Sequence, residues 1–374
     1  MNLAIWDIES SSASTDFGSI IEIGGVLVDE NFKEKDRFNL RCRLPEGEIF
    51  QAMALIVNKT SIKKLTQANL SHYQMLAEVE KIFKKWSPAI FLGWSNIGFD
   101  DEMIRKEFFK GIRYPYLTNA APNKRHDGIN IARAAYAVDP NILEVEFNEK
   151  NNAVFKLESL ARMQGIDSSD AHSALADAEM TAKVLSIVKK KQEHTWNDFL
   201  KTANKSDTET IIKKGDIFTL NEYYYGKSRL HLVVPLHPKY CMHPIYQGWY
   251  YSVDLRTDVE PLLNLSINEL KVEMKKSPKF LRTIRSNKAP IIVDAKFGMK
   301  AEPYNAMDES LIKKRAEIVQ KNEKFSQNIL VALREVAEEK EHSKSQEDIY
   351  AEESIYTKFT SNKDTALFPA WHAA

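Results

Sequence analysis

A mixed α/β domain followed by a smaller β-rich domain is the architecture this sequence predicts, and three observations carry the prediction. Strand-like segments crowd the first 42 residues, and short apolar runs then alternate with amphipathic stretches as far as residue 190. The texture changes near residue 195, and residues 216 to 255 fill with Tyr, Trp and Val between Gly and Pro turns. At 374 residues the chain is also too long for one ordinary domain.

Taken in order, Leu3-Ala4-Ile5-Trp6 opens a strand, and a Ser/Thr-rich loop runs from Ser10 to Thr15. A second strand is expected over Ile20–Val28, ended by the turn Asp29-Glu30-Asn31, and a third near Arg37–Cys42. Three such strands in succession suggest a meander. Met75, Val79, Ile82 and Phe83 fall on one helical face and predict a helix over Ser71–Trp86. Ala89–Trp94 reads as a short buried strand, Phe99–Phe109 as an amphipathic helix, and Ile129–Ala137 as another, stopped by Asp139-Pro140. Gly165 closes a helix over Leu157–Gln164. Ser173–Lys190 is a longer helix, and Lys189-Lys190-Lys191 suits the negative end of its dipole. Past the β-rich stretch, helices are expected over Ile267–Lys275 and over residues 308–341, and the polar run Glu338–Asp348 reads as a linker. The Lys- and Arg-rich stretch 271–300 is either a solvated face or an extension of a phosphate-binding track.

Composition narrows the function classes. Lys+Arg and Asp+Glu both number 52, so nucleic-acid binding would have to come from local patches and not from net charge. Two cysteines, Cys42 and Cys241, exclude a disulfide framework and a cysteine-rich zinc site, and fit a reducing compartment. No apolar run approaches the roughly 18–20 residues of a membrane helix. The start, MNLAIWD, lacks the basic and apolar regions of a signal peptide. A cytoplasmic protein with no membrane partner is the expectation.

Acidic residues in apolar surroundings carry the chemistry. Asp7 and Glu9 lie at i and i+2, so a strand places both carboxylates on one face. They are either an exposed strand face or a buried pair in need of a cation, and the apolar neighbours Leu3 and Ile5 favour burial. Asp100 stands where the strand–loop segment Gly93–Phe99 turns into a helix. It is a cap or a further ligand, with Asp101 and Glu102 read as solvated first-turn acids. Asp177 interrupts the apolar face formed by Ala174, Leu175, Ala176, Ala178 and Val184, and His172 precedes it by five residues. Hard carboxylate oxygens in such a set suit Mg²⁺.

The ordered set Asp7-x-Glu9, Asn96-x-x-Phe99-Asp100 and His172-x4-Asp177 resembles the DEDDh superfamily of 3′→5′ exonucleases. The resemblance extends to the bacterial exonuclease I family through NIGFDDEMIR (Asn96–Arg105), IARAAYA (Ile131–Ala137), FKLESL (Phe155–Leu160) and AHSALAD (Ala171–Asp177). SVDLRTDVEPLLNL (252–265) and SNKAPIIV (286–293) are similar to that family's SH3-like second domain, and Tyr350–Phe368 to the opening of its third, helical domain. The implied organisation is a ribonuclease H-like exonuclease domain over 1–192, an SH3-like domain over 193–342, and the beginning of a helical domain over 343–374. Ser10 stands where the family usually has Thr, and keeps the hydroxyl.

The resemblance implies a metal-dependent hydrolase that removes nucleoside 5′-monophosphates from the 3′ end of single-stranded DNA, in repair and recombination. Asp7, Glu9, Asp100 and Asp177 would hold two Mg²⁺ ions, with Mn²⁺ as a substitute. His172 would take the proton from the attacking water, an imidazole's ordinary pKa of about 6.5 being close to working pH. Glu9, Ser10, Lys156, Arg105, Tyr116 and Arg133 match positions that contact the strand, Lys156 replacing an Arg without its bidentate fork. Each of the last four is otherwise an ordinary surface charge or packed ring. Single-stranded DNA-binding protein is an implied partner, and a monomer the expected state. An RNA-trimming or proofreading DEDDh nuclease is the alternative within the superfamily, and a non-catalytic nucleic-acid-binding adaptor the alternative outside it. The first is disfavoured by the SH3-like segment and the second by the full acidic set.

Overall fold

The computed structural model describes residues 1–169, 171–342, 350–357 and 359–374. The chain forms two compact units, one from Met1–Ile129, Val154–Ile187 and the described part of 347–374, the other from Asn130–Ala153 and Val188 to the described residues before 347.

The first unit holds a five-stranded mixed sheet. Its strands are β1 (Asn2–Ser10), β2 (Ile20–Val28), β3 (Glu34–Arg41), β4 (Ala89–Leu92) and β5 (Lys124–Arg125), in the order β3-β2-β1-β4-β5. The first three form the expected antiparallel meander, while β4 and β5 join in parallel. β1 is central because its run of Leu3, Ala4, Ile5, Trp6 and Ile8 can be buried on both faces. Its helices are α1 (Ala52–Val57), α2 (Ile62–Thr66), α3 (His72–Trp86), α4 (Asp100–Lys110), α5 (Gly128–Val138), α6 (Leu157–Met163) and α7 (Ala174–Lys191), with α5 and α7 running on into the second unit. α1 is apolar at all six positions and α2 is only five residues long, so neither shows a helical period, and both are absent from the sequence expectation. α3 begins at a capping box between Ser71 and Gln74 and buries Met75, Val79 and Phe83. The Phe83 ring meets Trp6 at 5.5 Å and Phe91 at 5.0 Å, fixing the helix on β1 and β4.

One glycine sets the distance between sheet and helix. Gly24 of β2 pairs with Asp7 of β1, and a Cβ on it would lie 2.3 Å from the backbone nitrogen of Leu175. The first turn of α7 therefore rests on bare main chain beside Asp7, and only glycine permits that approach.

The second unit has an antiparallel five-stranded sheet in the order β10-β6-β7-β8-β9. Its strands are β6 (Phe218–Tyr224), β7 (Lys227–Pro235), β8 (Trp249–Asp254), β9 (Leu281–Arg285) and β10 (Ile291–Val293). Around it stand α8 (Glu193–Leu200), α9 (Lys205–Lys213), α10 (Ile267–Glu273), α11 (Ala295–Met299), α12 (Glu309–Lys321) and α13 (Glu323–His342). The basic stretch 271–300 is not simply a solvated face. It supplies β9 and β10, and Arg282 is buried against Asp254 at 3.0 Å and Glu222 at 2.9 Å. The single helix expected over 308–341 is two, because Asn322 leaves helical geometry and its side chain caps Phe325 N–H at 2.9 Å. The polar run from Glu338 continues α13 as far as His342, and the rest of the expected linker, 343–348, lies outside the described residues.

The compact units follow other lines than the expected divisions at 192/193 and 342/343. Residues 130–153 join the second unit through its hydrogen bonds: Lys191 Nζ to the Ile142 carbonyl at 2.8 Å, and Ser228 Oγ to the Arg133 carbonyl at 2.9 Å. The described residues of 350–374, with α14 (Asn362–Thr365) and α15 (Phe368–Ala373), belong to the first unit. His372 shares a hydrogen bond with Tyr73 at 2.7 Å, and the Tyr356 hydroxyl bonds both Glu102 and, at 3.1 Å, Arg105.

Candidate active site and metal centre

Strand periodicity aims Asp7 and Glu9 to the same side of β1, opposite Gly24 and Glu22 of β2. Asp177 projects from the first turn of α7, the turn that Gly24 admits. One carboxylate oxygen from each of Asp7, Glu9 and Asp177 lies within 4.8 Å of the others. Asp100 is the first residue of α4 and does not cap it. Its Oδ1 instead accepts the backbone N–H of Ile8, between the two β1 acids, at 3.3 Å.

The electrostatics are those of an unneutralised cage. Burial pushes the Asp7 carboxyl well above the ordinary range, and Asp100, Asp177 and Glu9 push it further. Burial, then Asp177 and Glu22, raise Glu9 to about 8. Burial raises Asp100 to about 8 against the opposing hydrogen bond from Ile8, and burial also raises Asp177. Converging carboxylates that resist ionisation alone are a donor set for a hard divalent cation, which would supply the missing positive charge.

A stability effect follows. The folded pKa values of Glu9 and Asp100 lie above their unfolded ones, so the fold retains protons that the open chain has lost. This contribution favours the ion-free fold at low pH and is lost as pH rises from the unfolded value toward about 8. Thermal scans of wild type against Glu9→Gln should show the variant gaining relative stability between about pH 5 and pH 8, at roughly 2–4 °C per kcal/mol. Adding Mg²⁺ should reverse the difference. A gap between the two proteins that is independent of pH would refute the assigned repulsion.

The other predicted residues are dispersed. His172 sits just before α7 in left-handed backbone conformation, φ 73, with its N–H 3.4 Å from Asp177 Oδ1. It is not among the residues whose ligand atoms converge within 4.8 Å, and it lines a cleft of about 450 Å³ with Arg41, Asn58, Lys59 and Ser173. Ser10 is buried and its hydroxyl donates to the Ser12 carbonyl at 2.9 Å. Lys156 is exposed and 3.7 Å from Glu158. Arg105 is buried, 3.0 Å from Glu102 and 4.0 Å from Asp101, and stands over the Tyr116 ring, which also meets Phe359 at 5.8 Å. Arg133 lies in the second unit, its guanidinium 3.6 Å from the centre of the Tyr223 ring.

Asp101 is a correction. Expected in solvent, it is fully buried, paired with Arg125 at 2.5 Å and accepting from Thr118 at 3.1 Å. Two further groups escaped the sequence reading. Glu22 is buried beside Glu9, ion-paired with Arg41, and accepts from Ser173 Oγ at 3.3 Å. The signal that exposes Asp177, a lone acid in an apolar run, also marks Glu22 within IIEIGGVLV. Asp127 accepts from the backbone N–H of Ser95 at 2.9 Å and of Ile97 at 3.4 Å, holding the loop that leads to Asp100.

A family model described as Exonuclease (RNase_T) matches residues 5–185. The chain is 25% identical over 310 residues to exodeoxyribonuclease I of Haemophilus influenzae, covering 78% of this chain and 64% of the relative. It is 24% identical over 267 residues to exodeoxyribonuclease I of Escherichia coli, covering 68% and 55%. The 3′-5′ exonuclease DinG of Staphylococcus aureus is 28% identical over 200 residues, or 53% of this chain and 19% of the relative. The chain thus spans less than two thirds of the Haemophilus and Escherichia relatives. Among solved structures, E. coli exonuclease I with a dT13 oligonucleotide superposes with a TM-score of 0.81 at 20% identity, covering 100% of this chain and 80% of that one. An exonuclease I/SSB-Ct complex gives 0.79 at 19%, with the same coverage.

Proposed function

We propose, on the premise that this chain belongs to the DEDDh exonucleases, the superfamily of bacterial exonuclease I, that it hydrolyses single-stranded DNA from the 3′ end to nucleoside 5′-monophosphates. The observation that carries the reading is the convergence of Asp7, Glu9 and Asp177 within 4.8 Å, with Asp100 held on β1 between the first two. Mg²⁺ is the proposed cofactor, as two ions for which Mn²⁺ substitutes.

When bound, the ions would lower the pKa of the attacking water and neutralise phosphoryl charge. The protein's own groups do the rest. Asp7, Glu9, Asp100 and Asp177 supply the negative cage, of which Glu9 and Asp100 are buried. An imidazole nitrogen of His172 accepts the proton of the attacking water, and the His172 N–H bond to Asp177 keeps that loop beside the cage. Lys156 offers an exposed ammonium to the strand backbone. Glu9 and Ser10 at the end of β1, and Arg105, Tyr116 and Arg133, are proposed as further strand contacts. Arg105 and Tyr116 would act from the ordered cluster they form with Glu102, Tyr356 and Phe359. Base stacking on an aromatic ring contributes about 1–3 kcal/mol and tolerates any sequence.

Single-stranded DNA and its binding protein are the proposed partners, in a repair role. The protein is proposed to be monomeric and cytoplasmic, and among the described residues no helix is long and apolar enough to cross a membrane. We also retain an exonuclease domain, an SH3-like domain and the lead-in to a helical domain as the proposed organisation.

The test is end-labelled DNA and RNA, single-stranded and blunt duplex, labelled at either terminus, with and without Mg²⁺. Mononucleotides should leave the 3′ end of single-stranded DNA at least about tenfold faster than that of duplex, since paired bases must first unstack at a few kcal/mol per step. Equal rates on the two would remove the single-strand reading, and faster RNA trimming would point to the RNA-directed members of the superfamily.

A further inference from the structure

Three consecutive residues between α1 and α2 each reach a different part of the carboxylate site. The Asn58 side-chain amide donates to the Ser10 carbonyl at 2.8 Å, at the end of β1 next to Glu9. The Lys59 ammonium donates to the Ala171 carbonyl at 3.1 Å, immediately before His172. The Thr60 hydroxyl accepts from Arg41 at 3.4 Å, and Arg41 is the ion-pair partner of Glu22, the buried acid opposite Glu9. One turn thus touches the strand that carries Glu9, the loop that carries His172, and the arginine that neutralises the neighbouring acid.

The conformation of the turn adds to this. Lys59 is left-handed, φ 50, a region in which an L-residue with a side chain is strained by about 1–2 kcal/mol and glycine is not. A surface position that needed only the turn would be served better by glycine. Here the backbone carries the strain and the side chain reaches across 112 residues of sequence to one carbonyl. The residue after that carbonyl, His172, is itself left-handed. Such a loop conformation persists only where its surroundings over-determine it. Two contacts in the fold do so, Lys59 on the Ala171 carbonyl and Asp177 on the His172 N–H.

We propose that Lys59 is a positioning residue: its ammonium holds the 171–172 loop in the left-handed form that presents the His172 imidazole to the carboxylate cage. The inference rests on the assignment of His172 as proton acceptor under the proposed function. It gives Lys59 no contact with substrate or metal.

Lys59→Gly tests it, because glycine keeps and relaxes the turn while removing the ammonium. On single-stranded DNA with Mg²⁺, kcat should fall roughly 10–100-fold, the scale of misplacing a catalytic group by about 1 Å, with KM and thermal stability preserved. Lys59→Arg, which restores a donor, should recover most of the rate. In a His172→Ala background the glycine substitution should have no further effect, since the group it positions is gone. An unchanged kcat in Lys59→Gly overturns the inference. So does a raised KM at constant kcat, which would make Lys59 a substrate contact, and so do losses that multiply in the double variant. If His172→Ala alone keeps full activity, the proton-acceptor assignment fails first and takes this inference with it. A slow His172→Ala beside a fully active Lys59→Gly leaves that assignment standing and removes only Lys59.

Discussion

Asp177→Ala and Asp7→Ala are each expected to reduce hydrolysis to below about a few per cent of wild type at saturating Mg²⁺, while the fold remains intact. The acids are among the cage's few negative groups, and under the proposed function stabilisation of the reacting phosphoryl charge would depend on the ions they would hold. The same residues repel one another when no ion is bound, and Asp7 is half-buried among four like charges, those of Asp100, Asp177, Glu9 and Glu22. Deleting one relieves that repulsion, so the ion-free variants should melt at or slightly above the wild-type temperature. Activity on 3′-labelled strand, circular dichroism and calorimetric Mg²⁺ titration check the three parts. Strong residual activity would remove either acid from the cage, and an unfolded variant would show that its role is structural.

The next largest effect belongs to His172. His172→Ala should slow hydrolysis by roughly 10²–10⁴, the span for losing a general base. Mg²⁺ affinity should be retained, because the histidine is not one of the converging ligands. The residual rate should rise with pH as hydroxide replaces the assisted water. A pH profile that coincides with the wild-type one after scaling would exclude His172 from proton transfer.

How far this site can be read in the sequence depends on how each residue differs from its neighbours. Asp7 and Glu9 stand out because period-2 spacing in an apolar run has few other meanings, and Asp177 because an acid inside an apolar helix face is a poor core residue. Asp101 misleads because a first-turn acid ordinarily faces water. Its true partner, Arg125, sits on a two-residue strand that no local pattern announces. Arg105 misleads similarly: its partner Tyr356 lies 251 residues away. β9 and β10 were hidden by the lysines and arginines around them, although Leu281 and Ile284 are buried and Ile291–Val293 form a compact apolar run. The mixed-sheet exonuclease fold was legible because β1 and β2 are apolar runs of strand length and α3 carries a helical period. The compact units were not, since they rest on contacts between segments distant in sequence, such as Lys191 with Ile142, which leave no trace in local composition.

The glycine at position 24 gives the site a mechanical property. Between β2, the neighbour of the strand that carries Asp7 and Glu9, and the first turn of α7 there is no side chain at Gly24, only one backbone resting on another. A spacer made of a side chain has rotamers, and heat populates them; a spacer made of main chain has none. The spacing of the backbones that carry Asp7 and Asp177 is therefore as stiff as the sheet and the helix themselves.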